Sequence, residues 1–349
     1  MKKSILLIII ILGTYQVFSQ SYELVWSDEF DLDTVDAAKW NFELGNGSNG
    51  WGNNEKEYYT SRPENIRIDS GNLIITALKE DYMGYQYTSA RMQTRNKAFW
   101  KYGRIEMRAR LPKGRGTWPA FWLLPQQMNY GTSYWPDNGE VDIMEYVGYE
   151  PGKVHGTVHT NKNNGSSGVS QTISYAGVEN DFHVYAIEWT PDEIKWYVDD
   201  YYYGSYQRLN RDWHYWPFDQ QFFIILNFAI GGDWGGSQGI DDAIFPQTYE
   251  IDYIRVYQSP VSAIPDNQLK DGDITISPNP VNDLLTININ DNITLPEISV
   301  YNSGGDVLLS SVQYEQPLTK IDFSPFGSGI YIIRLQNDIL SRTFKVVKL

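Results

Sequence analysis

Residues Gly139–Tyr146 read GEVDIMEY, and their only charged side chains are Glu140, Asp142 and Glu145. Side chains alternate between the two faces of a strand, so Glu140 and Asp142 share one face. Glu145 has the wrong parity. One extra residue, in a β-bulge at Ile143–Met144, brings it back beside the other two. The stretch therefore predicts a row of carboxylates on a bulged strand, with like charges crowded into one patch. Such a row suits chemistry that needs both an acid and a base. The plainer alternative is a solvated acidic edge strand.

Outward from this stretch the chain repeats one device, a short strand-like run closed by Gly, Asn, Asp or Pro. Asn65–Leu78, Tyr102–Pro112, His183–Asp200, Gln221–Ile230 and Ile251–Gln258 are such runs. Hairpin turns are expected at Asp69-Ser70-Gly71 and Pro191-Asp192-Glu193. No long helical pattern interrupts them. Many short strands over residues 20–258 predict an all-β fold of two packed sheets, a sandwich or jelly roll, with Ile251–Gln258 as its last strand. Residues 259–273, SPVSAIPDNQLKDGD, hold few large apolar side chains and read as a linker. Residues 274–349 carry further strand-like runs but no Trp and no acid cluster. They predict a small C-terminal β-sandwich.

The N-terminus combines Lys2 and Lys3 with the apolar run Ile5–Leu12. That run is shorter than the about 20 residues a spanning helix needs. Residues 1–19 read as a secretory signal, and the mature chain is expected to have no membrane span. There is no cysteine, which excludes disulfides, thiolate metal sites and cysteine-linked lipid anchors. A formal net charge of −15 repels phosphate backbones, so no nucleic-acid partner is expected. The chain also holds 12 Trp and 26 Tyr. Their flat amphipathic rings suit stacking on sugars, although most serve packing.

GTWPAFWLLP (Gly116–Pro125), WPDNGEVDIMEYVG (Trp135–Gly148) and WSDEF (Trp26–Phe30) together resemble glycoside hydrolase family 16. GNGSNGWGNNEKEYYT (Gly45–Thr60), YTSARMQT (Tyr87–Thr94), HGTVH (His155–His159) and IDYIRVYQ (Ile251–Gln258) continue the likeness in the same order. The inserted Met144 resembles the laminarinase-like branch, the endo-β-1,3-glucanases. The resemblance implies a concanavalin A-like β-jelly roll over residues 20–258 with a concave, open-ended cleft. It implies Glu140 as nucleophile, Glu145 as general acid/base and Asp142 as the residue that hydrogen-bonds the nucleophile. Trp118 and Trp135 match positions lining the glycone subsites, and Asn46 and Arg91 match positions that bond sugar hydroxyls. Trp122 is expected in the core.

His155 and His159 stand four apart, but no cysteine or third clustered histidine completes a zinc site. His159 is read instead as a cleft donor beside the acid/base residue, with His155 packed. No cofactor is expected for catalysis. The resemblance does imply a structural Ca2+ held by Glu29, the Gly71 carbonyl and Asp252, an all-oxygen set that suits calcium.

Strand geometry bears on mechanism separately. With the bulge absorbed, Glu140 and Glu145 sit as if four positions apart, about 13 Å at roughly 3.3 Å per residue. Side chains leaning together bring the carboxyls to roughly 5–6 Å. That is near the about 5–5.5 Å of a retaining glycosidase and short of the about 6.5–9.5 Å of an inverting one.

SPNPVNDLLTI (Ser277–Ile287), VYNSGGDVLL and the closing GIYIIRLQNDILSRTFKVVKL resemble the carboxy-terminal sorting domain of the type IX secretion system. This implies passage through the periplasm, secretion or attachment at the cell surface, and the secretion machinery as a partner. A carbohydrate-binding module is the rival reading of residues 274–349, with only Tyr301, Tyr314 and Tyr331 as stacking rings. The expectation is a secreted, monomeric, retaining endo-β-1,3-glucanase acting on laminarin-like β-glucans. The alternatives are mixed-linkage β-1,3-1,4-glucan or agar-type galactan as substrate, transglycosylation, and a non-catalytic lectin.

Overall fold

The computed structural model describes residues 22–209, 212–259, 274–289, 297–302, 307–313, 318–336 and 341–349. The expected signal at 1–19 and the linker from residue 260 onward lie outside the described residues. The chain divides into two units, Met1–Ser259 and Pro260–Leu349.

The first unit is two stacked sheets, as the spacing of its turns predicts. One sheet has seven strands, in the order Val169–Ser174, Lys153–His159, Glu140–Tyr146, Thr117–Pro125, Phe222–Ile230, Arg91–Gln93 and Asn41–Glu43. The other has ten. Tyr201–Gln207, Glu193–Val198, His183–Trp189, Gly103–Arg110, Gln247–Gln258, Asn72–Tyr82, Tyr85–Ser89 and Glu57–Tyr59 follow one another, with Glu23–Asp28 and Ile66–Asp69 paired alongside. The expected hairpins close with Asp69 opposite Asn72 and Trp189 opposite Ile194. The last strand starts earlier than Ile251. It runs over twelve residues from Gln247, and a register shift between Ile251 and Tyr253 lets it continue.

Alternation explains the core. From the seven-stranded sheet Phe121, Leu123, Val141, Met144, Val154, Val158, Leu226 and Phe228 point inward. They meet Ile105, Met107, Ile187, Trp196, Ile251 and Ile254 from the other sheet, all essentially buried. Each large apolar side chain removed from water contributes roughly 1.5–3 kcal/mol, and in a chain without disulfides this core carries the stability. In Phe222–Ile230 all nine residues are buried. Its outer face is thus covered as well as its inner one, which is why the sequence there is almost uninterruptedly apolar.

In the second unit, Ile274–Ser277, Leu284–Ile289 and Leu318–Asp322 form one sheet, and Val307–Gln313, Glu297–Asn302, Gly329–Gln336 and Ser341–Lys348 another. Val281, Leu285, Ile287, Val300, Phe323, Ile333 and Val346 fill its core. Tyr331 is buried against Phe323 and Phe326, so it offers no ring to a sugar. Tyr314 lies outside the described residues.

Candidate active site

The bulge predicted at Ile143–Met144 is present. Asp142 pairs with Thr157 and Glu145 with His155, so Gly156 alone faces both intervening residues. Against the other neighbour Asp142 pairs with Trp122 and Met144 with Phe121, which leaves Ile143 rather than Met144 as the unpaired residue. Both bulge side chains enter the core, and Glu145 is thereby turned to the same outer face as Asp142.

That face is a consistent set. Across the pairings, Asp142 and Glu145 lie level with Trp122 and Ala120 on one side and with Thr157 and His155 on the other. Farther over, Asn227 pairs with Ala120, and Arg91 pairs with both Asn227 and Glu43. Trp122 therefore belongs to the outer face and not to the core. It is half-buried there, its indole N–H donating to Asn227 Oδ1 at 2.8 Å. The Arg91 guanidinium lies 4.4 Å from the Trp51 ring centroid and 5.0 Å from that of Trp122, and its Nε donates to Glu43. Asn46 sits in the adjacent loop, where its amide donates to the carbonyls of Glu55 and Glu57 at 3.0 and 2.7 Å.

The three acids sit in contrasting company. The Glu140 carboxyl lies beside Asp142 and the Trp135 indole. Asp142 Oδ2 lies 3.3 Å from His159 Nε2, close but outside hydrogen-bond alignment. Glu145 Oε1 accepts from the Trp118 indole at 3.1 Å. Burial, then the Asp142 charge, pushes the Glu140 carboxyl up to about 8. Burial pushes Asp142 up to about 7, opposed by the adjacent Glu140 carboxyl. Glu145 is held well above the usual carboxylate range by burial, then by the charge of Asp142. Like charges crowded into one partly buried patch cannot all ionise together, so the cluster retains protons near neutral pH.

His159 is beside Glu140 and Asp142, not beside Glu145. Strand register decides this, because Glu140 pairs with His159 and Glu145 with His155. His155 is buried, 3.4 Å from Glu150, with its ring edge-on to Trp234 at 4.9 Å. Trp234 also meets Trp118 edge-on at 5.6 Å. Trp234 and Asn227 were not singled out from the sequence. A lone indole in the glycine-rich GGDWGG, and one polar residue within QFFIILNFAI, were the signals available.

Trp135 remains 42% exposed and leans toward His159, ring centroids 6.3 Å apart. Its loop is organised by Asn138, whose side chain accepts from the amides of Asn129 and Tyr130 and donates to the carbonyls of Tyr130, Ser133 and Tyr134. Asp137 adds bonds from the amides of Thr132 and Ser133 and from Asn161.

A second acid pair lies behind the Asn46 loop. Glu57 is fully buried, its Oε2 accepting from the Ile230 amide at 2.6 Å while Oε1 has no hydrogen-bond partner. Burial, then the neighbouring Glu55, holds its carboxyl well above the usual range. An unfolded glutamate ionises near about 4.3. The stabilisation is thus complete below that pH and is lost as pH rises toward the higher folded value. Glu57→Gln is expected to match the parent's Tm at pH 4 and exceed it by a few degrees at pH 9. Equal melting curves at pH 9 would refute this.

Of the calcium positions, Glu29 pairs with Arg255 at 2.8 Å and Asp252 pairs with Arg108, while Gly71 occupies a hairpin turn at φ +78. Each of these carboxylates thus already has a guanidinium partner. A separate group, Glu140, Asp142 and His159, places one ligand atom each within 4.8 Å and has the donors to hold a metal ion. Among the described residues no helix is long and apolar enough to cross a membrane.

Acids lined up on the outer face of a jelly-roll sheet, with indoles on either side, belong to enzymes that cut polysaccharides. Residues 53–255 match the glycosyl hydrolases family 16, and residues 275–349 match the secretion system C-terminal sorting domain. The chain belongs to family 16: it is a glycoside hydrolase that also carries a sorting domain.

Among its relatives is a beta-glucanase of Rhodothermus marinus, 55% identical over 246 residues, covering 68% of this chain and 85% of that protein. The X-ray structure of the Rhodothermus marinus laminarinase superposes with a TM-score of 0.66 at 54% identity, covering 68% of this chain and 98% of that one. The laminarinase from Flavobacterium sp. UMI-01 superposes at 0.64 with 44% identity, covering 68% and 100%.

Proposed function

We propose that the enzyme is a retaining endo-β-1,3-glucanase acting on laminarin-like glucans, with Glu140 as nucleophile and Glu145 as acid/base. The observation that carries this reading is the bulge, which sets both glutamates on one face and gives each a different partner. Glu140 Oε attacks the anomeric carbon while the glycosidic C–O bond breaks. The proton of Glu145 passes to the departing oxygen. Glu145, now anionic, takes a proton from water, whose oxygen attacks the same carbon and releases Glu140. The raised pKa of Glu145 suits a proton donor at neutral pH. Asp142, beside Glu140, is the first of the pair to lose its proton, and Glu140 attacks once its own carboxyl is ionised.

Trp118 and Trp135 flank the reacting sugar, Arg91 and Asn46 lie on the glycone side, and His159 adds a donor beside the nucleophile. The β-1,3 preference rests on the likeness to the laminarinases of Rhodothermus marinus and Flavobacterium sp. UMI-01. Incubation with laminarin, curdlan, lichenan and agarose is the test. Laminarin should be cut fastest into short oligosaccharides, lichenan more slowly and agarose not at all; preferential release from agarose would overturn the assignment. The sorting domain supports export, with type IX passage to the cell exterior and removal of residues 274–349 as the expected fate.

A further inference from the structure

A bulge turns backbone groups out of the strand ladder, and here it lies between the two catalytic glutamates. The Asp142 carbonyl, at the first residue of the register break, accepts a hydrogen bond from Trp196 Nε1 at 2.8 Å. Trp196 does not belong to the catalytic sheet. It stands on Glu193–Val198 of the opposite sheet, fully buried, and reaches across the core. Gly156, the residue facing the bulge, leaves room for the indole: a Cβ there would stand 2.2 Å from Trp196 Cδ1.

We propose that Trp196 is a positioning residue whose indole N–H latches the bulge and holds Glu145 in register with Glu140. The inference rests on the assignment of those two glutamates. Nothing in it requires Trp196 to touch sugar, since the indole lies on the core side of the strand. Its effect is on where the acid stands relative to the nucleophile. Misplacement by about 1 Å can cost on the order of a hundredfold in rate. An unlatched bulge should therefore slow the chemistry and leave sugar binding intact.

Trp196→Phe keeps an aromatic ring in the core and removes only the donor. On laminarin the variant should lose about tenfold to a hundredfold in kcat with KM within about twofold. On an aryl β-laminaribioside with a strongly acidic phenol as leaving group, which needs little protonation, the first step should lose much less. Gly156→Ala, which displaces the indole, should show the same split. Trp40→Phe is the comparison for lost stability. It removes a similarly buried indole donor, to Asp28 at 2.7 Å, beside the far edge strand Asn41–Glu43. Its kcat per folded molecule should stay within about twofold.

If Trp196→Phe turns over like the parent, or loses equally on both substrates in proportion to unfolded protein, the latch is refuted. Inactive Glu140→Ala and Glu145→Ala variants would leave the reading of the glutamates standing in that case. Active ones would remove its basis instead.

Discussion

Glu140→Ala should lower hydrolysis of laminarin by on the order of 10⁴-fold or more, the scale seen when a covalent nucleophile is removed. The loss should appear in kcat, with substrate still bound, because Trp118, Trp135 and Arg91 are untouched. Truncation also opens space below the anomeric carbon. Added azide should enter there and restore turnover of an activated aryl glycoside, giving the α-glycosyl azide. The parent attacks that face with Glu140 and then with water from the other side, so its own product keeps the β configuration. Proton NMR of the first-formed sugar reads both outcomes. More than a few per cent of parental activity in Glu140→Ala, or an α-anomer released by the parent, would sink the assignment.

Glu145→Ala should behave differently although the two residues share a strand. Positioned general acids contribute about 10²–10⁴-fold, so loss on laminarin should fall in that range. An aryl glycoside whose phenol leaves unaided should form the glycosyl-enzyme at nearly the parental rate and then stall, since the attacking water lacks its base. Azide needs no deprotonation. It should relieve the stall and give the β-glycosyl azide, the opposite stereochemistry to the Glu140 variant. Equal losses on both substrates would show that Glu145 is not the proton donor. The alkaline limb should also be late, because burial and Asp142 hold its proton well above ordinary carboxyl pH.

Much of this site was legible in the residue order because parity is a hard constraint. Three acids of mixed parity on one strand require either an idle Glu145 or a bulge, and the bulge is there. What the sequence left ambiguous follows from two kinds of missing information. The first is a strand buried on both faces, where apolar residues carry no alternation to read. AFWLLP looks uniformly apolar, so Trp122 was expected in the core, yet its pairing with Asp142 sets it on the cleft face. Asn227 was hidden in the same way, and its role came out only with its bonds to Trp122 and Tyr59.

The second is register between strands, which no spacing within one strand can supply. His155 and His159 share a face in either case, but which acid each meets depends on pairing with Glu140–Tyr146. The same lack left Met144 and Ile143 interchangeable as the extra residue. Trp234 enters the site from a loop remote in sequence, and only packing against Trp118 and His155 reveals it.

The loop carrying Trp135 is held from within by two side chains, Asn138 and Asp137. Asn138 is fully buried and grips backbone atoms from residue 129 to residue 134. Main-chain bonds do not depend on which side chains the loop displays. This wall of the cleft is accordingly a replaceable cassette: exposed residues such as Thr132 and Ser133 can be exchanged while the frame persists. Sugar preference can then be re-engineered, or drift in evolution, without disturbing the acids on the strand that follows.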